Sequence, residues 1–518
     1  MKNLRASPLL AAAFGIAAFW GVLGITEPPG PGLDPDAMSY LGAGMTFAHD
    51  GAFRVPAPKW TSADTTMPLT HFPPGFPAAI AAGIAAGMTP VNAARLVEAT
   101  AAGVMVAVVL LVVETAGGVF AVLIAAALLF TTRALAISHA SVLSEPLFFA
   151  LFALFTWQMA RETPAARSVR GTIVLGALAA AAVLVRYAGA SLAAALVLDA
   201  LLATRDASWR ARIRRVALVG VIPAAALGAW ALSRPTTGGG KIRQAGVYFA
   251  GMNATLYEGI DTVARWLAPY DVASRAAWLG VALATLVALV LLLARTTRAA
   301  RAACRERGER ASETRTYRAV ALTAMSYAVV IGTSRLMADP DIPLDDRMLA
   351  PVFVLAIIAL SPALAHWWRR AHPAASLLSA VLAAVWLVHS ARATTAAVRE
   401  YLGDGGDLAS NAWYLSPLVE YARDADARTR LYSNWPAAIW FHTGRSVAEL
   451  PEALAPKTVA AFRAKLEREH GAIIAFTIRS PDAAPPDSLA RLAGLARVMV
   501  SPDGAVWRAP ADSAKLKP

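Results

Sequence analysis

Cysteine and charged residues are both scarce in this 518-residue chain. Its single cysteine, Cys304, excludes an internal disulfide framework. Charged residues make up 16% of the sequence, whereas a soluble domain carries about a quarter. The scarcity of charge therefore excludes an ordinary soluble protein.

Apolar residues make up 57% of the chain, and the mean hydropathy is +0.50. Several apolar runs reach the roughly 20 residues that are needed to cross a bilayer. The net charge of +13 would suit a nucleic-acid partner, but the arginines cluster between apolar runs, as they do in cytoplasmic loops. The sequence therefore predicts an α-helical polytopic membrane protein that contacts membrane lipids and no nucleic acid.

The distribution of arginine sets the predicted topology. Segment 75–88 is short for a span and suits an interfacial or re-entrant segment. If it does not cross, the arginine-rich loops at 161–170, 205–215 and 295–318 lie in the cytoplasm, as the positive-inside bias requires. The N-terminus is kept as a span, because no persuasive cleavage site precedes Pro28. We predict eleven spans, near 7–25, 92–113, 117–132, 143–160, 171–186, 189–204, 216–233, 274–294, 319–335, 347–366 and 374–392.

From about residue 394 the composition resembles that of a soluble domain. We predict a transmembrane domain over 1–393, with its first outer loop at 26–75, and an extracytoplasmic α/β domain over 394–518. This second domain lacks a glycine-rich phosphate loop and a metal-ligand cluster, which favours a supporting or acceptor-recruiting role. Its predicted helices are 408–426, 436–443, 457–470 and 487–496; its predicted strands are 430–434, 472–477 and a hairpin that turns at Asp503-Gly504.

The first outer loop is the part of the membrane domain that carries several carboxylates, including Asp34, Asp36, Asp50 and Asp64. A carboxylate within reach of the bilayer is costly, so it indicates a functional site. The spacing of apolar residues predicts an interfacial helix over 36–49. Asp34 and Asp36 both stand where the N-cap of that helix belongs, so a capping role for Asp36 is the alternative to a chemical one.

Other outer connections carry further polar groups. Arg133, His139 and Glu145 lie between spans three and four, and Arg186 and Tyr187 lie at the hairpin between spans five and six. Four aspartates and Arg347 precede span ten, and a longer outer loop covers about 234–273. The topology therefore predicts that these groups converge on one face of the membrane.

Six motifs occur in an order that is typical of a known family: DPDAMSYLGAGMTFAHDG, THFPPGFPAAIAAG, NAARL, SEPLFF, RYAG and DDRMLAPV. Over roughly residues 7–392 the chain resembles the GT-C membrane glycosyltransferases. It is most similar to the bacterial group that includes lipopolysaccharide-core glycosyltransferases and protein mannosyltransferase-like enzymes. The resemblance implies a bacterial inner-membrane enzyme that takes a sugar from a polyprenyl-phosphate donor on the extracytoplasmic side and gives it to a lipid, glycan or protein acceptor.

The resemblance also implies a catalytic acid in the first outer loop. The family pattern, an aspartate followed some four residues later by tyrosine, falls on Asp36 and Tyr40, and Asp34 is the rival position. Asp36 is then the general base of an inverting displacement. Many relatives carry a second adjacent acid, but Ala37 stands here, which argues against a metal-bridging role. A divalent cation at Asp36 or at the donor phosphate is left open as a cofactor.

Arg186 and Arg347 are the candidates for binding the donor phosphate, because guanidinium groups match phosphate oxygens and stay charged near lipid. Anchoring in the headgroup layer is the alternative for both. Lys59 and Arg243 are weaker phosphate candidates on loops.

Glu145 suits either the first turn of a helix or binding to a sugar hydroxyl or to Arg186. His71 and Tyr187 are further donor-site candidates, and His139 is a weaker one.

Two other functions remain as alternatives. A transporter or flippase of lipid-linked sugars would carry broken spans and ionisable groups at mid-bilayer, whereas the acids here lie at predicted span ends. A non-catalytic membrane scaffold is the other alternative.

Overall fold

The structure of the protein, a computed structural model, describes residues 7–163, 167–202, 208–233, 249, 251–270, 274–307, 311–337, 342–478, 480 and 483–510. Helices dominate the part before residue 405. They are α1 (Ser7–Ile25), α2 (Pro35–Asp50), α3 (Gly75–Ala85), α4 (Pro90–Thr131), α5 (Arg133–Ala140), α6 (Glu145–Arg161), α7 (Val169–Val185), α8 (Ala190–Leu202), α9 (Trp209–Ser233), α10 (Met252–Leu267), α11 (Arg275–Arg307), α12 (Ala311–Met337), α13 (Asp346–Trp368) and α14 (Pro373–Asp404).

Helix α4 lies at the centre of the bundle, where it packs against α1, α6 and α13. It breaks at Gly118, whose φ of 73° is in the left-handed region. The two halves correspond to the predicted spans 92–113 and 117–132. Gly15 and Gly103 let α1 approach α4 closely, because a Cβ at Gly15 would lie 2.8 Å from the Gly103 carbonyl oxygen.

Seven helices of the described residues are long and apolar enough to cross a bilayer: α1, α4, α9, α11, α12, α13 and α14. Together with the break in α4 and the shorter helices α6, α7 and α8, they account for the eleven predicted segments. Helix α3 has 11 residues, about 16 Å of helix, which is too short to span. The chain is a multi-pass membrane protein with the predicted helical architecture.

The chain that leads into α2 is held by two distant segments. Gly32 pairs with both Ala140 and Val142, each through a backbone hydrogen bond of 2.9 Å. The Leu408 amide donates to the Leu33 carbonyl at 2.9 Å. A short hairpin, β1 (Arg54–Val55) with β2 (Met67–Pro68), follows α2. The first outer loop is therefore an ordered part of the molecule.

The C-terminal region contains a five-stranded sheet in the order β4-β3-β5-β7-β6. Strands β3, β4 and β5 are parallel, and β7 runs antiparallel to β5 and β6. The elements are α15 (Asn411–Tyr414), α16 (Pro417–Asp424), β3 (Leu431–Ser433), α17 (Pro436–Thr443), β4 (Val447–Glu449), α18 (Pro456–Arg468), β5 (Ala472–Phe476), α19 (Pro486–Leu492), β6 (Ala496–Ser501) and β7 (Gly504–Arg508).

Three details of the chain from α14 onward differ from the sequence predictions. The single helix predicted over 408–426 is wrong: Pro417, which lacks the amide donor that a continuous helix needs, starts α16 separately from α15. Strand β4 is too short to show a period and was not predicted. Helix α14 also continues to Asp404, through the boundary predicted at 393.

The C-terminal region packs on the first outer loop. The Glu449 amide of β4 donates to the Pro58 carbonyl at 3.0 Å, and Lys465 Nζ donates to the Ser62 carbonyl at 3.1 Å. The Trp60 ring contacts the Phe462 ring edge-on. The C-terminal region and the first outer loop therefore lie at the same end of the helix bundle.

Candidate active site

Four helix termini bring the principal candidate residues into one cluster. The start of α2 carries Asp34, Asp36 and Tyr40, and the start of α6 carries Glu145. Arg186 caps the C-terminus of α7. Arg347 lies in the first turn of α13. The predicted convergence of separate outer connections thus occurs for these six residues.

Glu145 is at the centre of the cluster, and its side chain is 1% exposed. One carboxylate oxygen is 2.7 Å from Arg186 Nη1. The other accepts from Arg347 Nε at 2.9 Å and lies 2.8 Å from Arg347 Nη2. A buried carboxylate needs such partners, since an unpaired one would be strongly destabilising. Glu145 therefore holds both phosphate-binding candidates side by side.

Arg347 also reaches the first outer loop. Its Nη1 donates to Asp34 Oδ2 at 3.2 Å, and its Nη2 lies 3.6 Å from Asp36 Oδ2. The neighbouring aspartates do not neutralise it: Asp345 caps α13 by accepting from the Met348 amide, and Asp346 pairs with Arg133 at 2.9 Å. Arg347 is therefore the residue that joins α13 to the acids of α2 and α6.

Asp34 and Asp36 have different surroundings. Asp34 is the N-cap of α2, accepting from the Ala37 amide at 2.9 Å, and its side chain is 17% exposed. Burial, and next the adjacent charge of Asp36, raise the pKa of Asp34 to about 7, although Arg347 opposes the shift. Asp36 does not cap the helix, and its side chain is 40% exposed. Asp36 is the more accessible of the two rival acids.

Tyr40 is buried and contacts the cluster through Ser144. Its hydroxyl and Ser144 Oγ are 3.2 Å apart, and Arg186 Nη1 donates to the same oxygen at 3.1 Å. Burial raises the pKa of Tyr40, so its phenol stays protonated and able to donate. The Tyr40 ring packs against Phe72 and Phe76. These contacts give Tyr40 a positioning role.

Two residues near the cluster, Ser144 and Glu98, were not predicted from the sequence. Ser144 directly precedes Glu145 in the motif SEPLFF, and it contacts both Tyr40 and Arg186. Glu98 is fully buried in α4, and its Oε1 accepts from the Leu143 amide at 2.7 Å. An acid within an apolar helical run was the available signal for Glu98.

The remaining candidates lie outside the cluster. His71 and Tyr187 are exposed at its border: His71 contacts Phe72, and Tyr187 accepts a hydrogen bond from Trp230. His139 is buried in α5, where burial lowers its pKa to about 4, so it stays neutral. Lys59 pairs with Glu452 of the C-terminal region. Arg243 lies outside the described residues.

Comparisons with known proteins identify this architecture. No protein-family model and no curated protein sequence matches this sequence. ArnT from Cupriavidus metallidurans, crystallised with undecaprenyl phosphate, matches with a TM-score of 0.59 at 13% identity, over 99% of this chain and 100% of that one. The oligosaccharyltransferase of Archaeoglobus fulgidus in its apo form matches with a TM-score of 0.52 at 10% identity, over 90% of this chain and 69% of that one. The protein has the GT-C glycosyltransferase fold.

A large cavity lies beside the cluster in this GT-C fold. It has a volume of about 980 Å³ and is lined by α5, α10, α11, α13 and α14. Asp346 borders it, with its carboxylate held by Arg133 and by Trp266 Nε1 at 2.8 Å. Aromatic and cationic side chains dominate the wall: Trp266, Trp278, Trp386, Arg133, Arg265 and Arg275. The first two residues of α13 therefore separate two polar regions, the cavity at Asp346 and the acid cluster at Arg347.

The described part of the chain has no group of three or more His, Cys, Asp or Glu side chains arranged to hold a metal ion. Asp34, Asp36 and Glu145 all lie within 3.6 Å of Arg347. A divalent cation at Asp36 would have to compete with that guanidinium for the same carboxylates.

Proposed function

We propose that the protein is an inverting glycosyltransferase with Asp36 as its general base. It moves a sugar from a polyprenyl-phosphate-linked donor to a cell-envelope acceptor at the extracytoplasmic face of a bacterial inner membrane. The observation that carries the proposal is the accessible Asp36 carboxylate beside Arg347, which shares Glu145 with Arg186.

Sugar transfer from a lipid phosphate needs a base for the acceptor hydroxyl and a positively charged site for the departing phosphate. Asp36 takes the proton of an acceptor hydroxyl, whose oxygen attacks the anomeric carbon of the donor. A glycosidic bond forms as the bond to the phosphate oxygen breaks, and the lipid phosphate leaves with both electrons of that bond. Each guanidinium has five N–H donors. The contacts of Arg186 with Glu145 and Ser144, and those of Arg347 with Glu145, Asp34 and Asp36, leave some of these donors unused, so both arginines can also bind the phosphate. A single displacement of this kind inverts the anomeric centre.

Three further observations support the proposal. The fold neighbour ArnT was crystallised with undecaprenyl phosphate, a lipid phosphate of the class that we propose as leaving group. The aromatic cavity beside Asp346 has the volume of a small-molecule site. We assign it to the polar part of the acceptor. The ionisable groups of the cluster lie at helix termini rather than at mid-span, which favours an enzyme over a flippase.

The test is sugar transfer from a polyprenyl-phosphate-linked sugar by purified protein. We expect Asp36→Asn to reduce transfer at least ~100-fold, because general base catalysis contributes about that much or more. Asp50→Asn is the matched control: it is the same change in the same helix, in its exposed last turn, about 20 Å away. Full transfer by Asp36→Asn would remove Asp36 from the mechanism, and no transfer by the parent protein would favour a flippase or a scaffold.

The proposed side of the membrane has its own test. Cys304→Ser removes the single cysteine, and Asp50→Cys then introduces one at the exposed C-terminal end of α2, the helix that carries Asp36. We expect a membrane-impermeant maleimide to label this variant in intact spheroplasts. Labelling only after the membrane is opened would put the site on the cytoplasmic side.

A further inference from the structure

A second, smaller cavity lies at the other end of the helix bundle. It has a volume of about 300 Å³ and is enclosed by α8, α11 and α12. Helix α8 starts next to the Arg186 turn and ends at Leu202 in the wall of this cavity. Since α8 has 13 residues, the cavity is about 20 Å from the candidate active site. It is therefore a separate feature of the molecule.

The surroundings of this cavity carry excess positive charge. Asp199 is buried and pairs with two arginines, with Arg167 at 2.9 Å and with Arg318 at 2.6 Å. Arg318 and Arg301 both line the cavity. Glu313, a second acid on α12, is buried one turn before Tyr317 and contacts its hydroxyl. Among the side chains that the structure describes here, Arg167, Arg301 and Arg318 outnumber Asp199 and Glu313, which favours an anionic ligand.

Thr314 supplies an independent sign of a ligand. Its hydroxyl oxygen is buried in the cavity wall and has no hydrogen-bond partner among the described residues. A buried hydroxyl without a partner is unfavourable, and native structures rarely leave one. An acceptor atom inside the cavity would satisfy it.

We propose that this cavity binds the phosphate of an anionic phospholipid headgroup. Guanidinium groups match phosphate oxygens, and basic pockets between transmembrane helices are suited to such headgroups. A lipid fits better than a free anion, because α11, which forms one wall, has only 6% of its apolar span buried in the protein. The acyl chains can therefore lie along α11 while Arg301, Arg318 and Thr314 hold the phosphate.

Native mass spectrometry of the full chain tests the proposal with phosphatidylglycerol, with phosphatidylcholine of the same acyl chains, and with inorganic phosphate. We expect retained phosphatidylglycerol adducts and a rise in Tm with that lipid alone. Arg301→Gln and Thr314→Val should each weaken phosphatidylglycerol binding at least ~5-fold, since each removes a hydrogen bond to a charged phosphate. Arg295→Gln, an exposed arginine of α11 outside the cavity wall, is the matched control and should bind like the parent.

Thr314→Val also separates lost binding from misfolding. Without lipid its Tm should equal or exceed that of the parent, because the change removes an unsatisfied hydroxyl. Equal binding of phosphatidylcholine, unchanged binding by both cavity variants, or equal stabilisation by inorganic phosphate would each overturn the proposal.

Discussion

The two ends of the bundle contain the same arrangement of charges. At one end Glu145 is buried between Arg186 and Arg347; at the other Asp199 is buried between Arg167 and Arg318. In both, a carboxylate fixes two guanidinium groups that come from different helices or connections. Such a buried carboxylate with its two arginines holds these segments together only while all three residues are present, because removing one leaves an uncompensated buried charge.

The difference between the ends lies in what surrounds each arrangement. Arg347 also meets Asp34 and the accessible Asp36, and a cavity of about 980 Å³ lies across α13. Arg318 faces a cavity of about 300 Å³ with a further arginine in its wall. Paired arginines can attract an anion, whereas the proposed chemistry also needs a carboxylate as base. We expect catalysis at the first end and anion binding at the second.

The largest expected effect comes from neutralising the central carboxylate of each end, Glu145 or Asp199, in two separate variants. Glu145→Gln and Asp199→Asn should each lower the free energy of unfolding by about 3 kcal/mol or more, because each leaves two guanidinium groups without their carboxylate. Only Glu145→Gln should reduce transfer per folded molecule, by about 100-fold, since it releases Arg186 and Arg347, the two groups that we propose bind the donor phosphate.

Thermal unfolding and transfer assays on the folded fraction measure the two effects. Equal losses of transfer in both variants would show that the two ends do not differ in function.

A smaller effect is expected when the shape of the guanidinium is changed and its charge is kept. Arg347→Lys loses the paired contacts with Glu145 and Asp34, so the donor KM should rise about tenfold, the equivalent of one charge-assisted hydrogen bond. Arg318→Lys makes the same change at the other end and should leave the donor KM unaltered. A donor KM that responds to Arg318→Lys would contradict the division between the ends.

The sequence predicted the helix termini of the site better than their contacts. DPDAMSY, SEP, RYAG and DDRM each mark a helix end, and the arginine bias assigned those ends to one side. The partners of Arg347 could not be predicted, because Asp34 is 313 positions away in the sequence. Asp345 and Asp346 were the nearer acids, but the rotation of α13, which its packing against α4 and α6 sets, turns Asp346 to the cavity and Arg347 to Glu145.

The stability of the protein should depend on pH through Asp34, which belongs to the first end. The pKa of Asp34 is raised from 3.8 to about 7 in the folded protein. The folded state therefore holds a proton that the unfolded state releases, so stability falls as the pH rises from about 4 to about 7. Asp34→Asn keeps an N-cap and removes this titration. Its Tm relative to that of the parent should increase by a few degrees between pH 5 and pH 8, and a constant difference would contradict the assignment.

The smallest expected effect tests the larger, aromatic cavity of the first end. Trp266→Phe keeps an aromatic ring in the wall and removes the hydrogen bond of 2.8 Å to Asp346. A hydrogen bond to a charged group contributes about 1.5 to 3 kcal/mol at most, and Arg133 still holds Asp346, so we expect the acceptor KM to rise only about threefold. The donor KM should not change, because Asp346 pairs with Arg133 at the cavity, whereas Arg347, about 100° further around α13, pairs with Glu145. Steady-state kinetics with each substrate varied in turn separate the two constants, and a rise in the donor KM instead would assign the cavity to the donor.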